Sequence, residues 1–205
     1  MKNNYIIQAW LVLLLAIFYG GALAGVQLTL APKITENKIQ ETREKVPELV
    51  LGADKAGTVT LDIEPSTITV EKNGQTTFYS VFKATKDGKL VGWVAKHTGQ
   101  GYADKIELLI GMGPKVSKIT GLYILNQKET PGLGNKIIEI DWRSQFIDAP
   151  TSQKLAVVKT GADDPNEIDA ITGATISSRS VCNIINAALN DLKSPLNEQI
   201  THSTN

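Results

Sequence analysis

Cysteine is nearly absent: the 205-residue chain has one, Cys182, so no disulfide can close within it. Histidine is scarce as well, with only His97 and His202. One thiol and two imidazoles cannot supply a four-ligand zinc site or a cysteine-held iron–sulfur cluster. No C-x-x-C-H haem-attachment run occurs. A chain with this inventory needs an organic cofactor if it is to move electrons. An excess of either charge is also missing, since 21 lysines and arginines balance 21 aspartates and glutamates. Nucleic-acid binding normally rests on a basic surplus, which this composition lacks. Internal repeats are absent, and the length suits one domain with a sizeable core.

What is present begins at the N-terminus. Residues 6–25, IIQAWLVLLLAIFYGGALAG, carry Gln8 as the one clearly polar side chain. About 20 apolar residues at ~1.5 Å each cross a hydrocarbon core of ~30 Å. The run therefore predicts a transmembrane anchor over residues 1–27, with membrane lipid around it. A cleaved signal peptide is the alternative, Ala22 and Ala24 offering an A-x-A-like site. The length of the run, and Lys2 as the lone basic side chain before it, favour retention. Lys33, Lys38, Arg43 and Lys45 follow the span, which by lysine and arginine counting would keep the next segment cytoplasmic. Long C-terminal domains translocate despite so small a bias, so charge leaves the side open.

Residues 28–52 read as a stalk or linker, with a charged helix over 35–45. Thr35 suits its N-cap and Glu36 its first turn, while Pro47 limits its extension. Residues 53–193 read as one α+β domain on an antiparallel sheet, ending in a helix. TVTLDI (58–63), STITV (66–70) and TTFYSVFKA (76–84) are rich in strand formers. Asp87-Gly88, between TTFYSVFKA and LVGWVAKH, predicts a hairpin. KIELLIGM (105–112) and SKITGLYIL (117–125) supply two more strands. A Pro-Gly turn and short helices follow over 126–146, then KLAVVK (154–159) as a last strand. Val181, Ile184, Ile185, Ala188, Leu189 and Leu192 recur at helical spacing, and residues 194–205 form a polar tail expected to fray. Trp93, Trp142 and Cys182 are expected in the core, and His97 on a strand.

The stretch DAITGATISSRS (169–180) stands where that last helix starts. The first amides of a helix lack intrahelical partners, and the helix dipole favours negative charge there. Gly173 and Ala174 would let a phosphate approach those amides closely. In the simpler reading Thr175 or Ser177 caps the helix and Gly173 serves a turn. A nucleophilic threonine of the hydrolase kind is disfavoured: such residues use their own terminal amine as base, whereas Thr175 is internal and has no histidine near it in sequence.

A longer pattern changes the balance. Asp169-Ala170-Ile171-Thr172-Gly173-Ala174-Thr175 resembles the D-x-x-T-G-A-T motif of FMN-binding domains that carry flavin as a phosphoester on the last threonine. Glu129-Thr130-Pro131-Gly132-Leu133-Gly134 resembles the E-T-P-G-L-G segment of the same family. Gly99-Gln100-Gly101-Tyr102 looks like its glycine–tyrosine segment, although Ala103-Asp104 departs from the second glycine frequent there. The likeness spans about residues 27–192 and is greatest to the G subunit of the Rnf electron-transport complex. The C subunit of the sodium-translocating NADH:quinone reductase represents the related family.

The resemblance implies covalent FMN on Thr175, installed from FAD with magnesium by a separate flavin transferase. Asp169, Thr172, Gly173, Ala174 and Thr175 would form the motif that this transferase recognises, and Thr172, Gly173 and Ala174 would also meet the cofactor. Thr130 and Leu133 would line the isoalloxazine ring, Gly132 and Gly134 would bring backbone to it, and Tyr102 would either flank it or pack in the core. Glu129 would either contact the cofactor or hold the Pro-Gly turn. The fold implied is an antiparallel-sheet FMN-binding domain with a C-terminal helix, preceded by one transmembrane helix. The function implied is electron relay among the other membrane and redox subunits of a ferredoxin:NAD+ oxidoreductase complex coupled to Na+ or H+ movement. The place implied is the inner or plasma membrane, single-pass, with the flavin domain extracytoplasmic. No catalytic base and no metal ligand are expected of such a carrier. The alternatives are the C subunit of a quinone reductase, a freestanding anchored flavoprotein, and a cofactor-free anchored assembly module.

Overall fold

The computed structural model describes residues 5–72 and 74–202. Residues 1–4 of the expected anchor and 203–205 of the expected tail lie outside the described residues. The chain divides into two units, one ending at Glu41 and the other beginning at Thr42. Helix α1 (Tyr5–Leu51) starts in the first unit, takes up the apolar run and is long and apolar enough to cross a membrane. Trp10, Leu13, Phe18 and Leu23 are all exposed on it, a surface that hydrocarbon solvates better than water.

The helix neither restarts at Thr35 nor stops at Pro47; its backbone is helical through Pro32, Thr35 and Pro47. An internal proline forfeits a backbone bond and costs about 3 kcal/mol. Around Pro47 that cost is offset by burial of Val46, Leu49 and Val50, each such side chain contributing about 1.5–3 kcal/mol.

The second unit holds a five-stranded antiparallel meander in the order β1–β2–β3–β4–β5. After the short α2 (Ala53–Ala56) come β1 (Asp62–Lys72), β2 (Gln75–Lys86), β3 (Lys89–Gln100), β4 (Lys105–Met112) and β5 (Ile119–Asn126). The Asp87-Gly88 hairpin forms as expected, with φ of 50° and 73° at the two residues. Two successive positive φ values are what a type I′ turn requires. The stretches expected as two strands, 58–63 and 66–70, prove to be one strand that starts at Asp62. It tolerates Pro65 because β1 is an edge strand, where a missing N–H breaks no inner ladder.

Each face of the sheet is covered. Helix α4 (Thr175–His202) and the irregular chain before it pack Val181, Ile185 and Phe146 against Trp93, Leu108 and Ile110. On the other face the end of α1 lays Val46, Leu49 and Val50 against Phe82, Val94 and Leu109. The irregular chain comprises 3-10 turns at Gly134–Ile138 and Ser144–Phe146 around α3 (Ile140–Arg143), then β6 (Ala156–Val158) and β7 (Glu167–Asp169). KLAVVK is therefore not the last strand, since β7 pairs with β6 in parallel; three residues are too few to show an alternating pattern. Nor does the chain fray at 194: fully buried Leu196 carries α4 through Pro195 to His202.

Candidate functional site

The start of α4 is built by a turn and a serine. Ala174 N–H donates to Ile171 O at 2.8 Å, and Gly173 closes the turn with φ of 80°. Ser178 N–H donates to Ala174 O at 3.0 Å, the first helical bond, so Ala174 is the N-cap residue. Alanine brings no side-chain oxygen to that position. The reading in which Thr175 or Ser177 caps the helix is thus corrected. Thr175 is the first helical residue, and the Ser177 hydroxyl donates to Glu129 Oε2 at 2.5 Å. Among the described residues, the N–H groups of Thr175, Ile176 and Ser177 find no acceptor, and the Thr175 hydroxyl makes no hydrogen bond.

These groups border a cleft of about 520 Å³. Three segments far apart in sequence meet there: Tyr102 from the turn after β3, Thr130, Leu133 and Gly134 from the Pro-Gly turn, and residues 173–177 from the start of α4. Tyr102, at 61% exposure, is a free-standing wall of the cleft and not a core residue, and Leu133 and Ile176 are exposed beside it. Ile176 does not stand out in the sequence and Ser177 reads there only as a cap candidate, since their place in the first turn of an apolar helix marks neither as a cleft residue.

Other expected residues stand back from the cleft. Gly132 turns the chain with φ of 75°, and Thr172 is exposed in the turn before α4; neither lines the cleft. Asp169 faces a separate cleft with Asp163, Asp164 and Glu167. Its carboxylate accepts from Ala162 N–H at 3.1 Å, its N–H donates to Gln145 Oε1 at 2.8 Å, and its carbonyl accepts from Trp142 Nε1 at 2.8 Å. Glu129, only 4% exposed, lies beneath the cleft, where Oε1 accepts from Tyr102 N–H at 2.9 Å and Ala103 N–H at 3.1 Å.

Cys182 is 1% exposed, and burial pushes its thiol up to about 12, leaving no thiolate near neutrality. His97 stacks on Tyr79 at 4.7 Å between ring centroids and does not line this cleft. Among the described residues, no group of three or more His, Cys, Asp or Glu side chains could hold a metal ion.

The donor set suits a flavin mononucleotide. Three free amides at the positive end of a 28-residue helix match a phosphate. The space above Gly173, where an added Cβ would lie 3.0 Å from Leu133 Cδ2, shows how closely the two segments approach. Leu133 and the Tyr102 ring offer flat apolar contact to an aromatic ring system.

Comparison with known proteins places these segments in a known family. Residues 101–190 match the model of the FMN-binding domain. The chain is 33% identical over 186 residues to the G subunit of the Na(+)-translocating ferredoxin:NAD(+) oxidoreductase complex of Acetobacterium woodii, covering 85% of this chain and 87% of that protein. It is 28% identical over 198 residues to the G subunit of the ion-translocating oxidoreductase complex of Shewanella baltica, covering 92% and 90%. The fold resembles the crystal structure of the C subunit of Na(+)-translocating NADH-quinone reductase from Parabacteroides distasonis, with a TM-score of 0.60 at 22% identity over 82% of this chain and 96% of that one. On the strength of the match along most of both chains, this protein belongs to the G-subunit family of Rnf-type ion-translocating oxidoreductase complexes.

Proposed function

We propose that the chain is a membrane-anchored electron carrier that holds FMN covalently, through a phosphoester on Thr175 Oγ. One observation carries this reading: the Thr175 hydroxyl is free of hydrogen bonds and sits beside three unpartnered helix amides on the wall of the cleft. When bound, FMN supplies the electron transfer. The chain's own groups position it. The amides of residues 175–177 hold the phosphate oxygens, and Leu133, Thr130 and Tyr102 enclose the ring from the Pro-Gly turn and the loop after β3. Gly134 and Gly173 keep the backbone close, and Gly132 makes the turn that presents Leu133.

Asp169 and Thr172, outside the cleft, together with the exposed Gly173, serve the flavin transferase that installs the group from FAD. The Thr175 oxygen replaces AMP on the flavin-side phosphorus as the pyrophosphate bond breaks, and AMP leaves with the hydroxyl proton. Residues 1–27 anchor the chain in the bilayer, 28–52 link, and 53–193 form the flavin domain, which stands on the extracytoplasmic side. The carrier works among the other membrane and redox subunits of a ferredoxin:NAD+ oxidoreductase complex driving Na+ or H+. The names of its relatives, as components of such complexes, support this placement.

The test is in-gel fluorescence under ultraviolet light after co-expression with an active flavin transferase. The wild-type band stays fluorescent through denaturation and its intact mass grows by one FMN ester, whereas Thr175→Ala is dark and unmodified. A dark wild-type band alongside a second substrate that the same transferase does label overturns covalent attachment.

A further inference from the structure

The geometry points to Glu129 as the positioning residue of the cleft, a buried strut that sets the distance between the Tyr102 wall and the α4 amides without touching the ligand itself. The inference rests on the reading of this cleft as the FMN site. Oε1 faces the loop after β3, where it accepts from Tyr102 N–H at 2.9 Å and Ala103 N–H at 3.1 Å. Oε2 faces the first turn of α4 and accepts from Ser177 Oγ at 2.5 Å. One carboxylate thus joins two walls supplied by segments 26 to 48 residues away in sequence. An apolar side chain could fill the same space but would leave the Tyr102 and Ala103 amides, whose bonds to Glu129 are part-buried, without that acceptor.

The surrounding glycines are placed for this carboxylate. A Cβ on Gly101 would run into Glu129 Oε1. A Cβ on Gly134 would lie 2.9 Å from Glu129 Oε2 and 2.6 Å from Ser177 Oγ. The glycine–tyrosine segment, the Pro-Gly segment and the first turn of α4 therefore converge on one buried side chain. Glu129 is itself fixed from behind, its own N–H donating to Gln127 Oε1 at 2.6 Å. Tyr102, exposed on the other side, owes its place to the loop backbone, which is closed by Gly101 N–H to Asp104 O at 2.8 Å and held by Glu129.

The experiment compares Glu129→Ala and Glu129→Gln in the full chain in detergent. The glutamine oxygen can still accept from both loop amides, and its NH2 can donate to the Ser177 hydroxyl, so the strut survives without its charge. Hydrogen exchange of the Tyr102–Ala103 amides, followed without flavin, becomes about tenfold faster in Glu129→Ala and stays within about twofold of wild type in Glu129→Gln. In the flavin-loaded chain, visible circular dichroism of the ring falls in Glu129→Ala and is restored in Glu129→Gln. Wild-type exchange in Glu129→Ala overturns the assignment, as does fast exchange in a Glu129→Gln chain with wild-type far-ultraviolet ellipticity. Should Glu129→Ala not fold, Glu129→Asp replaces it: the carboxylate withdraws by one methylene, and exchange at the wild-type rate counts against the strut. Because the exchange measurement needs no flavin, it stands or falls separately from attachment at Thr175.

Discussion

The Ser178 hydroxyl accepts from Ile171 N–H at 3.1 Å and donates to Ala174 O at 3.1 Å, and the residue is fully buried. It ties the chain before the helix to the first turn of α4 without accepting from the amides of residues 175–177, which stay free for a ligand. Removing it strands the buried Ile171 N–H, which costs about 1–3 kcal/mol. Ser178→Ala is accordingly expected to lower unfolding free energy by that amount in urea titrations, and an unchanged midpoint would contradict the role. The motif around Thr175 was legible in the sequence because it is written in contiguous residues. Ser178 and Glu129 were not, since each is defined by partners elsewhere. Glu129 in particular could be read only as a contact or a turn-holder until the fold brought Ser177 and Tyr102 to it.

Among the elements, the end of α1 is fitted to the sheet more closely than its charged sequence suggests. Gly92, Gly111 and Gly121 make a floor without side chains beneath Leu49 and Val50. A Cβ on Gly111 would run into Leu49 O, and one on Gly92 would lie 2.7 Å from Val50 Cγ1. Thr120 Oγ1 then donates to Leu49 O at 2.6 Å, satisfying a carbonyl of the last turn. Helix and strand must therefore separate if Gly111 gains a methyl group, since the clash is with backbone. Overpacking of this kind costs about 1–3 kcal/mol. Gly111→Ala should destabilise the folded chain by that much in urea, while Gly113→Ala, where a Cβ meets nothing closer than 3.9 Å, should not. Strand positions and the Asp-Gly hairpin were readable from local preference. The continuity of α1 and α4 through Pro47 and Pro195 was not, because burial of Val46, Leu49 and Leu196 outweighs the local signal of a proline.

At the scale of the whole molecule, α4 is tied to the sheet by a polar cluster well along the helix from its N-terminus. Tyr79 OH donates to Asp191 Oδ2 at 2.8 Å, Lys72 Nζ donates to Oδ1 at 3.1 Å, and His97 stacks on Tyr79. Burial holds the His97 pKa below its ordinary 6.5, with the Asp191 carboxylate partly opposing it. Burial also works against the Asp191 carboxylate, but hydrogen bonds from Tyr79, Lys72 and Asn190 outweigh it and keep its pKa below 3.8. Both groups bind protons more readily unfolded than folded. Each therefore contributes stability that is present above its unfolded pKa and lost as pH falls through its folded value. The His97 part begins to fade below 6.5 and the Asp191 part only below 3.8. Urea midpoints of the wild type should decline as pH drops from about 7.5 to 5, and His97→Gln should flatten that slope. A slope that His97→Gln leaves unchanged would assign it to other groups.

The long apolar helix, the Asp-Gly hairpin and the motif around Thr175 were legible in the sequence alone, since each depends on neighbours in the chain: hydrophobic runs, turn dipeptides and a short motif. Only the tertiary structure decided that three motifs share one cleft, that Glu129 stands beneath it, and that the helix amides beside Thr175 stay free. Contacts between distant segments carry no local signature, and burial, which settles them, exists only once the sheet has brought those segments together.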